Sequence, residues 1–243
     1  MKASRAQIEK DLGRSARRQY FSPAYFSQYH VTLPRIRQFT KGKTIDLGCG
    51  YMPFYDFISD QVTEYHGLDL HPRSDEVTLV ADIQDMHMIE NDSYDTAICL
   101  EVLEHTPDPF RAAGEIHRIL RPGGVLIVSV PHLSRLHDEP DDYFRFTKYG
   151  LRDLLDREGF EVISLEHRGG LCSFIGHQMS TMLLGIAWSL PVIRQIAWHL
   201  NRWLITSPLY FADRYLDPSG LFAMGYTAVA RKLPSPASDA LRG

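Results

Sequence analysis

From Lys43 to Arg168 the chain alternates short, unbroken apolar runs with longer stretches whose apolar residues recur every three to four positions. The runs Thr44–Leu47, Glu64–Leu68, Val77–Ala81, Tyr94–Leu100, Val125–Val130 and Phe160–Glu166 predict strands. Several, such as VLIVSV, are apolar at nearly every position, the pattern of a strand covered by helices on both faces, so a doubly wound, mostly parallel sheet is expected. Asp108–Leu120 places Phe110, Ala113, Ile116 and Leu120 on one helical face and ends at Arg121-Pro122-Gly123-Gly124, where a basic last turn, Pro and Gly stop a helix. Thr147 is placed to cap a helix through Leu151, Leu154 and Leu155 that closes at Gly159 before the sixth strand. Beyond Arg168 the alternation stops. Residues 169–223 read as an apolar helical insertion broken by Pro191 and Pro208, and Met224–Arg231 then supplies a seventh strand.

Composition permits this reading, since 44% of the 243 residues are apolar and 23% charged, enough to bury a sizeable core. The net charge of −4 hides an asymmetry: residues 1–43 carry ten Lys/Arg against Glu9 and Asp11, leaving 16 against 28 for the rest. A basic arm precedes an acidic body, and the acidic body disfavours a long polyanion track and hence nucleic acid as partner. Cys49, Cys99 and Cys172 show no paired spacing, and the first twenty residues hold no apolar signal region, so a reducing, cytoplasmic setting is expected. Gly169–Ile193 lacks any Asp, Glu, Lys or Arg but is only moderately apolar, which reads as a buried or interfacial helix before a membrane span. Arm and insertion are each expected to be unable to form a core of their own.

The chemistry concentrates at strand ends. Thr44-Ile-Asp-Leu-Gly-Cys-Gly50 is an apolar strand ending in Asp-x-Gly-x-Gly, with Pro53 placed to start a helix whose free N–H groups face a carboxylate or phosphate. Asp69, closing the next strand, can take both hydroxyls of a ribose. A nicotinamide site calls for a third glycine near position 53, where this chain has Pro, which disfavours an oxidoreductase. Ala81-Asp82-Ile83, Tyr94-Asp95-Thr-Ala-Ile-Cys-Leu-Glu101-Val-Leu-Glu104-His105 and Leu120-Arg-Pro-Gly-Gly-Val-Leu-Ile-Val-Ser-Val-Pro131 follow in order.

Together these motifs resemble the class I S-adenosylmethionine-dependent methyltransferases, most closely the subgroup with DLGCG and EVLEH motifs, over about residues 44–167 and the last strand. The resemblance implies an α/β, Rossmann-like, seven-stranded sheet with an antiparallel last strand, the insertion lying between strands six and seven. It divides the chain into a basic helical arm (1–43), a methyltransferase domain (44–232) and a flexible tail (233–243). It implies S-adenosylmethionine as cofactor: Asp46, Gly48, Cys49 and Gly50 at the methionine end, Asp69 on the ribose, Leu70 and Ile83 against adenine, Asp82 on the adenine amino group, and Leu100 and Glu101 along the methionyl moiety. Many members carry a third glycine where this chain has Met52. For a hydroxyl acceptor, His132 and His105, both just beyond strand ends, are candidate bases, His132 ahead. Tyr143 or Arg145 in the loop His137–Thr147 is a candidate acceptor contact; the alternative has Phe144 and Phe146 docking the loop and Asp142 pairing with Arg145.

Glu101-x-x-Glu104-His105 also resembles a metal motif of certain RNA-end and quinone-precursor methyltransferases, with His132 as fourth ligand, although many members carry EVLEH without metal. The acceptor is expected to be a small molecule, a glycan or a lipid-linked compound, methylated on oxygen. Trp188, Trp198 and Trp203 with Arg194 and Arg202 suggest peripheral contact with the inner face of a membrane through 169–223, against a lid or a homodimer interface. An inactive binding module of the same fold is the remaining alternative.

Overall fold

The structure, a computed structural model, describes residues 7–8 and 10–233. The expected tail from 234 onward and part of the arm lie outside the described residues. Seven strands, β1 (Gly42–Leu47), β2 (Val62–Asp69), β3 (Leu79–Val80), β4 (Tyr94–Leu100), β5 (Leu120–Pro131), β6 (Phe160–Arg168) and β7 (Gly225–Lys232), form one sheet in the order β3-β2-β1-β4-β5-β7-β6. The sheet is mostly parallel, through the β1–β2, β1–β4, β2–β3 and β4–β5 pairs, with antiparallel pairing at its last strands. Successive residues of β1, β4 and β5 are buried, among them Ile45 and Leu47, Ala97, Ile98 and Cys99, and Leu126, Ile127 and Val128. Such runs satisfy a sheet covered on both faces.

The α-helices of the described residues include α1 (Pro23–Ser27), α2 (Leu33–Phe39), α3 (Pro109–Ile119), α4 (Lys148–Arg157), α5 (Leu171–Ala187), α6 (Pro191–Leu200) and α7 (Ser207–Leu216). Asp108 caps α3 by accepting from the Arg111 N–H at 3.0 Å, and Thr147 caps α4 by accepting from Gly150 at 3.0 Å. Four local expectations change. The buried face of α3 is Ala112, Ala113, Ile116 and Ile119, while Phe110 is exposed under the Arg157 guanidinium. The Arg-Pro-Gly-Gly run is the first part of β5, where the register against β4 shifts between Tyr94 and Thr96. Pro53 starts no α-helix; a single 3-10 turn, Tyr55–Phe57, follows the glycine turn. Pro208 breaks nothing: α6 runs through a π-helical stretch, Asn201–Thr206, into α7, and Pro208 falls at the start of α7. At the start of a helix the missing proline N–H costs no hydrogen bond.

The chain divides into two compact units, one of the described residues up to Pro34 with His167–Gly225, the other of Arg35–Glu166 with the chain from Tyr226. In the first unit, arm and insertion, neither expected to form a core of its own, share one. Ile8, Leu12 and Phe21 from the arm cluster with Leu184, Ala187, Trp188, Ala197 and Trp198. Polar bonds stitch the same segments: Trp188 Nε1 donates to Asp11 at 3.0 Å, and the buried Asn201 amide donates to the Tyr20 and Phe21 carbonyls at 2.8 and 3.0 Å. Asp213, buried, accepts from Cys172 N and Ser173 N and so satisfies the first turn of α5, whose cap residue Gly170 has no side chain to do it.

Candidate active site

The strand order reverses between β1 and β4, and in open α/β sheets ligands bind at the carboxyl ends of the strands flanking such a point. There β1 ends in a turn whose Gly48, Gly50 and Met52 all have positive φ, at 64°, 52° and 49°. Gly48 N and Cys49 N both donate to the Leu68 carbonyl, at 2.7 and 3.1 Å, which ties the turn to β2. A Cβ on Gly48 would stand 2.4 Å from the Val102 side chain, so position 48 requires glycine for both its dihedral and its space. At Gly50 a Cβ would meet nothing within 4 Å: the turn opens onto free space.

Beside that space lies Asp69. Gly50 N donates to its Oδ2 and His71 N to its Oδ1, each at 2.9 Å, so both oxygens are oriented by backbone and keep lone pairs for a further donor. Met52, at the third-glycine position, is buried and holds the left-handed conformation without being glycine. Space for it comes from β2, where a Cβ on Gly67 would stand 2.2 Å from Met52 Cε. Asp46 is buried beneath the turn and accepts from Tyr65 Oη at 2.5 Å. Burial, opposed by the Tyr65 bond and reinforced by the Asp69 charge, pushes its carboxyl up to about 7.

After β3, Asp82 Oδ1 accepts from Gln84 N at 2.8 Å and from its side-chain amide, while Ile83 is buried and Leu70, after β2, is exposed. After β4, Glu101 has φ 56°, a strained value for a non-glycine, and is fixed to β5 by its own N–H on Ser129 O and by Ser129 Oγ donating to its carboxylate at 2.8 Å. Leu100, next to it, ends β4 and is half-buried.

The acceptor-side residues fall into two groups. His132, just past β5, packs its ring 5.6 Å from that of Tyr226, and its buried Nδ1 has no hydrogen-bond partner. His105 is already engaged: its Nδ1 donates to the Asp141 carbonyl, and its Nε2 lies 3.7 Å from Glu104 Oε1, a carboxylate with no exposure. His137 Nε2 approaches the same oxygen at 3.9 Å. Glu104, His105 and His137 therefore bring donors within 4.8 Å of one another, ligand types that suit Zn²⁺. Glu101 and His132, which the resemblance placed in a metal set, are not in this group.

Arg145 grips Asp142 through two bonds of 2.6 and 2.7 Å and also donates to the Ser134 and Arg135 carbonyls. These bonds, with His137 N donating to the same carboxylate, hold the Asp142 carboxyl down to about 2. Phe146 is buried while Phe144 is partly exposed, so this loop is docked by one aromatic and one ion pair. Tyr143 remains exposed; its hydroxyl donates to Asp141, which pushes its ionisation up and away from a role as base.

Residues 17–165 match the profile of a family described as a methyltransferase domain. The chain belongs to this family. It is a class I S-adenosylmethionine-dependent methyltransferase. Among its relatives, a probable S-adenosylmethionine-dependent methyltransferase of Mycolicibacterium smegmatis is 27% identical over 71% of this chain and 77% of its own. A ubiquinone biosynthesis O-methyltransferase of Xanthomonas oryzae is 35% identical over only 28% of each chain. A putative Haloferax volcanii methyltransferase, solved in complex with the Trm112 methyltransferase activator, shares the fold at 20% identity, with a TM-score of 0.57 over 86% of this chain and 90% of that one.

In this methyltransferase Asp69 is an acid aligned by two backbone N–H groups, with open space beside it at Gly50. Sequence reasoning missed Tyr65, Gly67, Ser129 and His137. Each acts through a partner on another strand or loop, and none sits in a spacing that marks it; only the polar run containing His137 gave any signal.

Proposed function

We propose that the protein transfers the methyl group of S-adenosylmethionine to an oxygen of a small-molecule, glycan or lipid-linked acceptor, with His132 as the base. The observation that carries this reading is the buried, unpartnered Nδ1 of His132 at the carboxyl end of β5, since a role in catalysis is one reason for a protein to leave a buried polar atom unsatisfied. The partial likeness to ubiquinone O-methyltransferases supports oxygen as the atom.

Bound there, the cofactor supplies a methyl group already activated on a sulfonium. Asp69 would hold the ribose hydroxyls, Leu70 and Ile83 flank adenine, and Asp82 meets its amino group. Asp46, Gly48, Cys49, Gly50, Leu100 and Glu101 would surround the methionyl end. His132 would take the acceptor hydroxyl's proton as the oxygen attacks in line, and alignment by the surrounding chain supplies much of the remaining rate. His105 positions the adjoining loop through Asp141 and Glu104. Incubating the protein with radiolabelled cofactor and cell extracts tests the reading: label should enter an alkali- or acid-stable ether or an ester in one extract fraction. Label found only on nitrogen or carbon would overturn it.

Asp46 adds a pH signature. The α-ammonium group, which S-adenosylmethionine and S-adenosylhomocysteine share, would favour the Asp46 carboxylate, so binding of either would expel the proton that the free protein holds below 7. Affinity for S-adenosylhomocysteine is expected to fall roughly tenfold per pH unit below 7, and Asp46→Asn to bind weakly with a flat pH dependence, both measured by calorimetry. In the cofactor-free protein the same raised carboxyl makes folding stability decline as pH rises from about 4 toward 7. A pH-independent affinity in the native protein would contradict this assignment.

A further inference from the structure

We propose that the helical unit docks on a membrane surface rich in anionic phospholipid, lying in the interface without crossing it. The first observation is that α5 turns its large apolar residues outward. Its buried positions, Ser173, Gly176, Ser180, Thr181, Leu184 and Ala187, are small or polar except for Leu184, while Ile175, Met179, Met182 and Ile186 face outward at spacings of four, three and four residues. A helix packed for water shows the reverse, with the apolar stripe inside and polar residues out.

The pattern continues along the next helices. Val192 (74% exposed), Ile193 and Ile196 on α6 lead into Trp203 (62%) and Leu204 on the π-helical stretch, and α7 adds Phe211 and Tyr215. Ile196, Leu200, Trp203 and Leu204 line an open groove with Gln195 and His199. Inside the same unit, Asn201, Thr206, Asp213 and Asp217 are buried. Beside the apolar cluster of Phe21, Leu184, Trp188 and Trp198, these buried polar residues and the large apolar residues left outside suit an apolar surrounding.

Charge identifies that surrounding. From Gly169 to Ala212 the chain has no Asp or Glu, only Arg194 and Arg202. The helical unit carries ten Lys/Arg against four Asp/Glu, whereas the sheet unit carries 16 against 26. Guanidinium groups sit over aromatic rings beside the apolar stripes: Arg202 at 4.0 Å from the Tyr20 ring centre and 4.8 Å from that of exposed Trp203, and Arg17 at 5.0 Å from that of Trp198. Aromatic rings with cations at their edge are the residues of a membrane–water boundary, and an anionic leaflet attracts the excess positive charge. A second copy of the chain would instead bring two surfaces of the same sign together. Among the described residues no helix is long and apolar enough to cross a membrane, so the unit lies on the surface.

Docking deepens the reading of a lipid-linked acceptor, and rests on it only for that choice. Vesicle binding is read without cofactor or acceptor, so its failure would leave methyl transfer standing. The test is flotation of the intact protein with phosphatidylcholine vesicles and with vesicles partly replaced by phosphatidylserine. The protein should rise with the phosphatidylserine vesicles and be released by salt. Ile186→Glu/Ile196→Glu/Trp203→Glu should lower that partition by about tenfold or more while leaving melting temperature and S-adenosylhomocysteine affinity unchanged. A protein that stays at the bottom with both vesicle types overturns the proposal. So does light scattering that shows a dimer dissociated by the same substitutions while flotation is unaffected.

Discussion

Replacing Asp69 with alanine is expected to weaken S-adenosylhomocysteine binding by about 100-fold or more, because hydrogen bonds to an ionised group contribute about 1.5–3 kcal/mol each. In this variant the two ribose hydroxyls would lose the acceptor proposed for them. Gly50 N and His71 N, each 2.9 Å from the carboxylate, also lose theirs, so the turn that frames the site is loosened as well. Asp69→Asn separates the two effects. It keeps one acceptor oxygen for the backbone but removes the charge and one ribose contact, so it should bind at an intermediate level with a melting temperature near that of the native protein. Isothermal titration and thermal denaturation read both. Native-like affinity in Asp69→Ala would remove the ribose assignment and, with it, the proposed position of the cofactor at the β1–β2 edge.

The second large effect falls on turnover. His132→Ala should reduce kcat by about 10²–10⁴-fold, the range a positioned general base supplies, with S-adenosylhomocysteine affinity unchanged. His132→Gln fills the space without a titrating base, and should flatten the pH dependence of kcat between about 5 and 8 while retaining the fold. His105→Ala is the informative contrast. Its ring is held by Asp141 and lies beside Glu104, so its loss should loosen the His137–Thr147 loop and affect KM for the acceptor more than kcat. If His105→Ala abolished kcat and His132→Ala did not, the base assignment would pass from the free imidazole to the held one.

The positions of several candidate site residues were legible in the sequence because they sit within a residue or two of strand ends, and the strands are set by local runs of apolar residues. Asp46, Gly48 and Gly50 follow from β1, Asp69 from β2, and Glu101 from β4. The helix expected at Pro53 was not legible, since a proline at a good first position says nothing about whether the following residues find a face to bury. Phe110 misled for a related reason: helical spacing defines a stripe, but only the neighbouring element decides which stripe turns inward.

By itself the sequence determined the order of the chemistry along the chain, acids and glycines at consecutive strand ends; the helices expected between those strands do not form from β1 to β4, where only a 3-10 turn is present among the described residues. Only the tertiary structure decided how the exceptions are accommodated. Met52 takes the place of a glycine because Gly67, on the adjacent strand, leaves room for its side chain. His137 joins Glu104 and His105 across a loop, and the basic arm and the apolar insertion, distant in sequence, share one core through Phe21, Trp188 and Trp198. Local patterns fix which backbone conformation a segment favours. Which side chains meet depends on long-range packing, whose free energy comes from burying surfaces that no single segment contains.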